Sequence, residues 1–589
     1  MRRLAVALRL SIVSLIPSPP ILPLRHAVAP NEAECSWRPF ERMPRHQAST
    51  RDLLANAVIV AAAIGAFAVG VLFGTFAAAD TDPYGYLSHA DALARGTLRI
   101  DQRSIQDVPW PNAEATFSPP GWRPATVHGF IAPIYSSGLP LVMAAFQRAF
   151  GRRGVFYAVP VLGALAVWAV GRLGTIVHSS IVGASSAVLL ATSPTFLRHV
   201  VQPVSDVPTM AWWTFTLMMA SRGGGAAAFV AGLAGSMAIL TRPNLVPLAL
   251  VAGILALLPR AEDAKSDRRI RILSFTAGIV PGCLGVAALN WLFNGSPLLS
   301  GYGSLDYLYT LANVGPNLDR YPRWLWEQET PFIYLALLAP LALRWRGVAT
   351  RHSHSGLTYT LLGFALAVLL AYLPFSAFGR QEWDYLRFIL PGLPALIILS
   401  TAVTVDLAAR FLPPGTRVVL LLAPVVVILG VRHVGLAART GTFDQAIAEK
   451  RYVDVGRYIA LAMPPEAMFV SGLHSGAIRY YTNRLTIRYD QIEPDWLDRT
   501  VAYAESHGHP TYIVVEEGEE SIFRNRFEGR STFGRLDWPP SVERFEPIHV
   551  RIYDPNDRAR YLAGGAVITA DIGFVGRPKI HQQGADKSY

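Results

Sequence analysis

Five side chains stand beside the ends of long apolar runs and are of types that can do chemistry together: Asp82, Asp206, Arg242, Asp384 and Arg387. Asp82 lies in Asp80-Thr81-Asp82-Pro83-Tyr84-Gly85-Tyr86, directly after the apolar run 53–78, with His89 and Asp91 following. Asp206 lies in Gln202-Pro203-Val204-Ser205-Asp206-Val207-Pro208, Arg242 in Thr241-Arg242-Pro243-Asn244, and Arg387 in Glu382-Trp383-Asp384-Tyr385-Leu386-Arg387-Phe388. A carboxylate within hydrogen-bond reach of an attacking hydroxyl takes its proton. Arginine at headgroup depth grips a phosphate or pyrophosphate and stabilises charge on a leaving group. A second carboxylate near the first permits either acceptor positioning or a shared divalent ion, so Asp82 and Asp206 are also the candidate metal ligands. Each residue has a plainer reading. Asp82 before Pro83, or Ser205 and Asp206 before Pro208, are helix-cap sequences, and a single arginine at a span end commonly snorkels to the interface.

These residues need a membrane frame. With 51% hydrophobic and 16% charged residues over 589 positions, and a mean hydropathy of +0.30, the chain carries more apolar surface than a soluble protein of this length can hide. A helix needs about 20 apolar residues to cross roughly 30 Å of hydrocarbon. Such runs read at about 53–78, 154–172, 180–197, 207–221, 225–241, 244–259, 272–293, 331–344, 357–377, 387–405 and 417–436, which makes about eleven spans. Residues 1–24 open with Arg2 and Arg3, but Arg9 and the prolines at 17, 19, 20 and 23 interrupt the run. Residues 1–50 are expected to be a disordered basic extension on the cytoplasmic side, with Met43 an alternative start.

Basic loops set the orientation. The segment 131–150 is apolar but contains Pro133, Gly138 and Pro140. If it lies flat on the outer surface, the clusters Arg260/Lys265/Arg268/Arg269/Arg271, Arg344/Arg346/Arg351 and Arg410/Arg417 all fall inside, as the positive-inside rule requires. The outer face then receives the loop 79–153, the aromatic loop 294–330 and everything from about 440 to the end. The formal charge of +11 is therefore read as topology signal in a plasma (inner) membrane, without a nucleic-acid partner. Two cysteines, Cys35 and Cys283, make neither a disulfide framework nor a thiolate metal site.

Residues 441–589 read as a small extracytoplasmic α/β domain: strands at 467–472, 485–489 and 511–516 alternate with helices at 475–481 and 496–507. The turn Ser471-Gly472-Leu473-His474-Ser475-Gly476 has the form of an anion site at a helix N-terminus, although a plain turn explains it as well.

The fold class expected is therefore an α-helical polytopic membrane domain, 51–440, with a C-terminal α/β layer. Over residues 50–440 the chain resembles the GT-C superfamily of polytopic glycosyltransferases, which includes protein O-mannosyltransferases and aminoarabinose transferases. The resemblance rests on Asp82 to Tyr86 after the first span, Pro120-Gly121, Ser137 to Pro140, Ser205 to Pro208, Thr241 to Asn244 and Arg387 to Pro391. It implies a polyprenyl-phosphate-linked sugar as donor, a glycan, lipid or protein acceptor on the outer side, and first-loop helices lying along the membrane. Carried over, Asp82 is the base, Asp206 a supporting acid and Arg387 a contact to the lipid phosphate; Arg242, Tyr84, Tyr86 and Asp384 are further candidate contacts to the lipid phosphate or substrate. Many relatives have Asp-Glu where Pro83 follows Asp82, so the second acid and a divalent metal are left open, and no other cofactor is implied. A transporter or flippase of lipid-linked sugars predicts symmetric halves and charges at mid-membrane, neither of which is legible. A non-catalytic envelope scaffold is the third reading.

Overall fold

The computed structural model describes residues 49–102, 107–258, 265–304, 306, 308–343, 351–376, 382–411, 416–572 and 579–583. The expected N-terminal extension lies outside these but for its last two residues. Cys35, Met43, Arg260, Arg344, Arg346 and Arg380 lie outside them too.

The helices of the membrane domain are α1 (Thr50–Leu72), α2 (Asp82–Ala94), α3 (Ala113–Thr116), α4 (Gly138–Phe150), α5 (Ala158–Val177), α6 (Ser180–Thr192), α7 (Pro194–Val200), α8 (Asp206–Ala220), α9 (Gly225–Thr241), α10 (Leu248–Leu257), α11 (Lys265–Asn294), α12 (Val314–Glu329), α13 (Ala339–Ala342), α14 (Arg351–Tyr372), α15 (Leu393–Phe411) and α16 (Thr416–Arg439). Among the described residues, five helical stretches are long and apolar enough to cross a membrane, and the pair α6–α7, bent by 60° at Ser193, makes a sixth if taken as one span. The other expected spans are present as shorter helices. Pro194, Pro243 and Pro247 break the runs around them, since proline has no N–H to continue a helical ladder. Side chains such as Leu54, Ile64, Leu250, Ile428 and Val431 remain exposed on the outside of the bundle, where lipid replaces water as their solvent.

One expectation is revised. The first span ends at Leu72, not at residue 78. Gly74 and the left-handed Phe76 turn the chain, and Ala77 to Ala79 run on as a buried irregular segment. Segment 131–150 is a strand followed by the 13-residue helix α4, about 20 Å long, too short for the hydrocarbon core. Leu139, Met143 and Ala144 are buried, while Leu141 and Phe150 face outward. The strand pairs in a small sheet of β1 (Ile100–Asp101), β3 (Phe130–Pro133) and β2 (Trp122–Pro124) in that order.

The C-terminal region adds α17 (Gln445–Ala462), β4 (Met468–Ser471), α18 (His474–Thr482), β5 (Thr486–Ile487), α19 (Leu497–Ser506), β6 (Thr511–Glu516), α20 (Glu517–Phe527), β7 (Val542–Arg544), β8 (Val550–Tyr553), α21 (Pro555–Leu562), β9 (Val567–Asp571) and β10 (Lys579–His581). The strands form one mixed seven-stranded sheet, β10-β9-β7-β8-β6-β4-β5, with β4 parallel to both β5 and β6. Its core takes in Trp110 and Phe117 of the first long loop, and the Arg488 N–H donates to the Thr116 carbonyl. The two regions thus share a core.

Candidate active site

The residues with chemical potential come together around one cavity of about 1140 Å³. Its walls include Asp82, Tyr86, Asp206, Arg242, Glu382, Asp384 and Arg387. Those residues come from the start of α2, the start of α8, the end of α9 and the 3-10 turn Trp383–Phe388.

Asp82 is the first residue of α2, but its side chain makes no cap; Thr81 holds the cap position without a side-chain bond. Its carboxylate turns into the cavity. Oδ1 accepts a hydrogen bond from the Tyr135 hydroxyl at 2.5 Å, and Oδ2 lies 3.0 Å from Arg387 Nη1. Asp206 likewise leaves its helix end uncapped and accepts from Arg242 Nη2 at 2.5 Å. Arg242 and Arg387 both lie over the Phe388 ring, 5.6 and 5.1 Å from its centroid. The ring therefore gathers two guanidinium groups into one cationic spot. Asp384 is held by Arg198 at 3.1 Å, with His199 at 3.8 Å.

Close backbone approach explains the short motifs. A Cβ on Gly85 would lie 2.4 Å from the Tyr135 ring, and one on Gly121, whose φ of +82° also favours glycine, would lie 2.7 Å from Gly85 Cα. A Cβ on Gly138 would lie 2.3 Å from the Thr241 nitrogen, immediately before Arg242. The motifs are thus mutual contacts that set the positions of Asp82 and Arg242.

Tyr84 departs from the expectation. It does not line the cavity; its ring is buried against Gly476 of α18, and burial pushes its phenol up to about 12. Tyr86 does line it, donating to Ser205 Oγ at 2.8 Å. The shared-ion reading of Asp82 and Asp206 lacks a donor set: each carboxylate is engaged by arginine, and among the described residues no group of three or more histidine, cysteine or acidic side chains could hold a metal. The turn at 471–476 does meet a carboxyl group, but an internal one. The Leu473 N–H donates to Glu519 Oε1 at 2.9 Å.

Sequence reasoning missed Tyr135, Tyr372 and Glu449, which also line the cavity as does Tyr302 of the aromatic loop, and gave no role to Asn244, whose amide donates to Tyr309 and Tyr372 at 2.9 Å each. Asp80, in the left-handed region at φ +40°, also faces the cavity and is exposed.

One flank of the cavity is apolar. Cys283, Val286, Ala287, Asn290 and Phe293 recur at helical spacing on one face of α11, which lies in a helix of spanning length.

No family model matches the sequence, and no curated protein matches it. Among solved structures, the chain is similar to ArnT from Cupriavidus metallidurans bound to undecaprenyl phosphate, at 14% identity over 84% of this chain and 97% of that one, with a TM-score of 0.48. It is also similar to the apo oligosaccharyltransferase of Archaeoglobus fulgidus, at 12% identity over 79% of this chain and 70% of that one, TM-score 0.47. Both are GT-C glycosyltransferases. The likeness is one of fold alone.

Proposed function

We propose that the chain is an integral membrane glycosyltransferase that moves a sugar from a polyprenyl-phosphate donor to an acceptor on the extracytoplasmic side, with inversion at the anomeric carbon. The observation that carries this is the meeting of Asp82 with Arg242 and Arg387 in one cavity whose other flank is an apolar helix face. The phosphate fits the two guanidiniums over Phe388, and the first isoprene units fit the α11 face. An acceptor hydroxyl attacks the anomeric carbon while Asp82 takes its proton. The bond from that carbon to the phosphate oxygen breaks, and the electron pair leaves with the polyprenyl phosphate, whose growing charge the arginines stabilise. Arg387 pairs with Asp82, so donor phosphate and Asp82 compete for it. Asp384, held by Arg198, keeps the turn bearing Arg387 in place.

The test is transfer from a panel of polyprenyl-phosphate sugars by purified protein in nanodiscs. Asp82→Asn is isosteric, and loss of a general base typically costs about 10²- to 10⁴-fold in turnover. The expected result is a fall of that size in kcat with donor KM little changed. Undiminished turnover in the variant removes Asp82 as base, and a panel without any turnover by the wild type removes the transfer reading.

A further inference from the structure

The two oxygens of Asp82 are held differently. Oδ2 faces Arg387, a long flexible side chain that a phosphate can draw away, whereas Oδ1 is bonded to Tyr135, whose ring is closely packed. One side of that ring rests on the bare backbone of Gly85, with Gly121 beside it, where even a methyl group would collide. It also stacks on Tyr86, with centroids 4.8 Å apart and planes at 26°, and Tyr86 is itself tied to Ser205. Tyr135 is buried. Burial, followed by the charge of Asp82, raises its phenol well above the usual range, so the hydroxyl keeps its proton and acts as a donor.

We propose that Tyr135 is a positioning residue for the transfer reaction: it pins Asp82 through Oδ1, so that Oδ2 is the oxygen that receives the acceptor's proton once Arg387 turns to the donor phosphate. The assignment rests on the transfer reading above. It divides the labour within one carboxylate. Oδ1 is permanently engaged and fixes the plane of the group, and Oδ2 is covered until donor arrives. In the reaction the acceptor O–H proton moves to Oδ2, the acceptor oxygen bonds to the anomeric carbon, and the carbon–phosphate-oxygen bond breaks. Tyr135 transfers no proton. The glycines of two separate motifs then have a common purpose, to leave room for this ring.

The test is a double-mutant cycle on kcat with Tyr135→Phe and Asp82→Asn, because Phe keeps the ring and removes only the hydroxyl. A hydrogen bond to a charged group implies a loss of roughly 10- to 100-fold for Tyr135→Phe in the wild-type background, with donor KM within about twofold. In the Asp82→Asn background the same change is expected to do nothing further, since Tyr135 acts only through that carboxylate. A structural role predicts equal losses in both backgrounds. Equal losses, or an unchanged kcat for Tyr135→Phe alone, overturn the assignment while leaving the transfer reading intact. A wild type that turns over no lipid-phosphate sugar overturns both.

Discussion

Arg242 spends one guanidinium nitrogen on Asp206, while another, Nη1, is buried without a hydrogen-bond partner. A buried donor left unpaired costs free energy that a ligand recovers by accepting from it. The fork geometry also matters, because a planar guanidinium holds carboxylate and phosphate oxygens at once, whereas a lysine presents a point charge. Arg242→Lys is therefore expected to weaken binding of sugar-free polyprenyl phosphate. The loss of one charge-assisted hydrogen bond is about 1.5–3 kcal/mol, or roughly 10- to 150-fold in affinity. Native mass spectrometry or competition binding in nanodiscs reads this directly. At this scale the sequence was informative: residue types and their places at span ends selected Asp82, Asp206, Arg242 and Arg387. Tyr84 and Tyr86 looked equivalent two residues apart. On a helix that spacing points them to different faces, so one lines the cavity and the other backs onto α18.

The elements are aligned by contacts tighter than side chains allow. Gly138 opens α4 and meets the last residues of α9, so α4 and the end of α9 that presents Arg242 are in backbone contact. A Cβ there would stand 2.3 Å from the Thr241 nitrogen and 2.5 Å from the Leu240 carbonyl carbon. Backbone cannot step aside as a flexible side chain can. Gly138→Ala is expected to destabilise the protein by about 1–3 kcal/mol, the usual cost of overpacking, and to raise donor KM because Arg242 shifts with α9. A lowered melting temperature in detergent with an unchanged KM would separate the two effects. The bend at Ser193 is another case. Its hydroxyl donates to Glu329 Oε1 at 2.6 Å, and Thr195 donates to the same oxygen at 2.9 Å. The end of α12 thereby anchors α7, which carries Arg198 and His199 towards Asp384.

At the scale of the whole molecule, the C-terminal sheet braces the segment that bears Asp82. The Tyr481 hydroxyl accepts from the Ala78 N–H at 2.8 Å, and Gly476 lies against Tyr84. Behind α18 lie two carboxylates with opposite behaviour. Burial raises Glu519 to about 7. Burial acts on Glu516 in the same sense, but the bonds and charges of His474 and Arg451 outweigh it and bring Glu516 down to about 2. The signs follow from which state holds the proton. As pH rises from about 4.5 to 7, the unfolded chain releases the Glu519 proton and the folded chain keeps it, so stability falls across that window. For Glu516 the contribution is complete above about 4.5 and is lost as pH falls towards 2. At 1.36 kcal/mol per unit, the Glu519 effect is on the order of 3 kcal/mol. Melting curves of the full chain between pH 5 and 8 are expected to show this decline, and Glu519→Gln is expected to flatten it. An unchanged slope in the variant would place the decline elsewhere.

Hydropathy and residue type were enough to read a polytopic membrane protein, an α/β layer after residue 440, and charged residues that line one cavity. These properties are local: span length, loop charge and strand alternation are written in neighbouring residues. The partners of Asp82 were not, because Tyr135 and Arg387 are 53 and 305 positions away along the chain, and nothing in either local pattern points to the other. Folding alone joined them. It also ended the first helix early, bent α6 into α7, and fused residues 107–117 with the C-terminal core, since backbone contacts between distant segments outweigh what each run favours by itself.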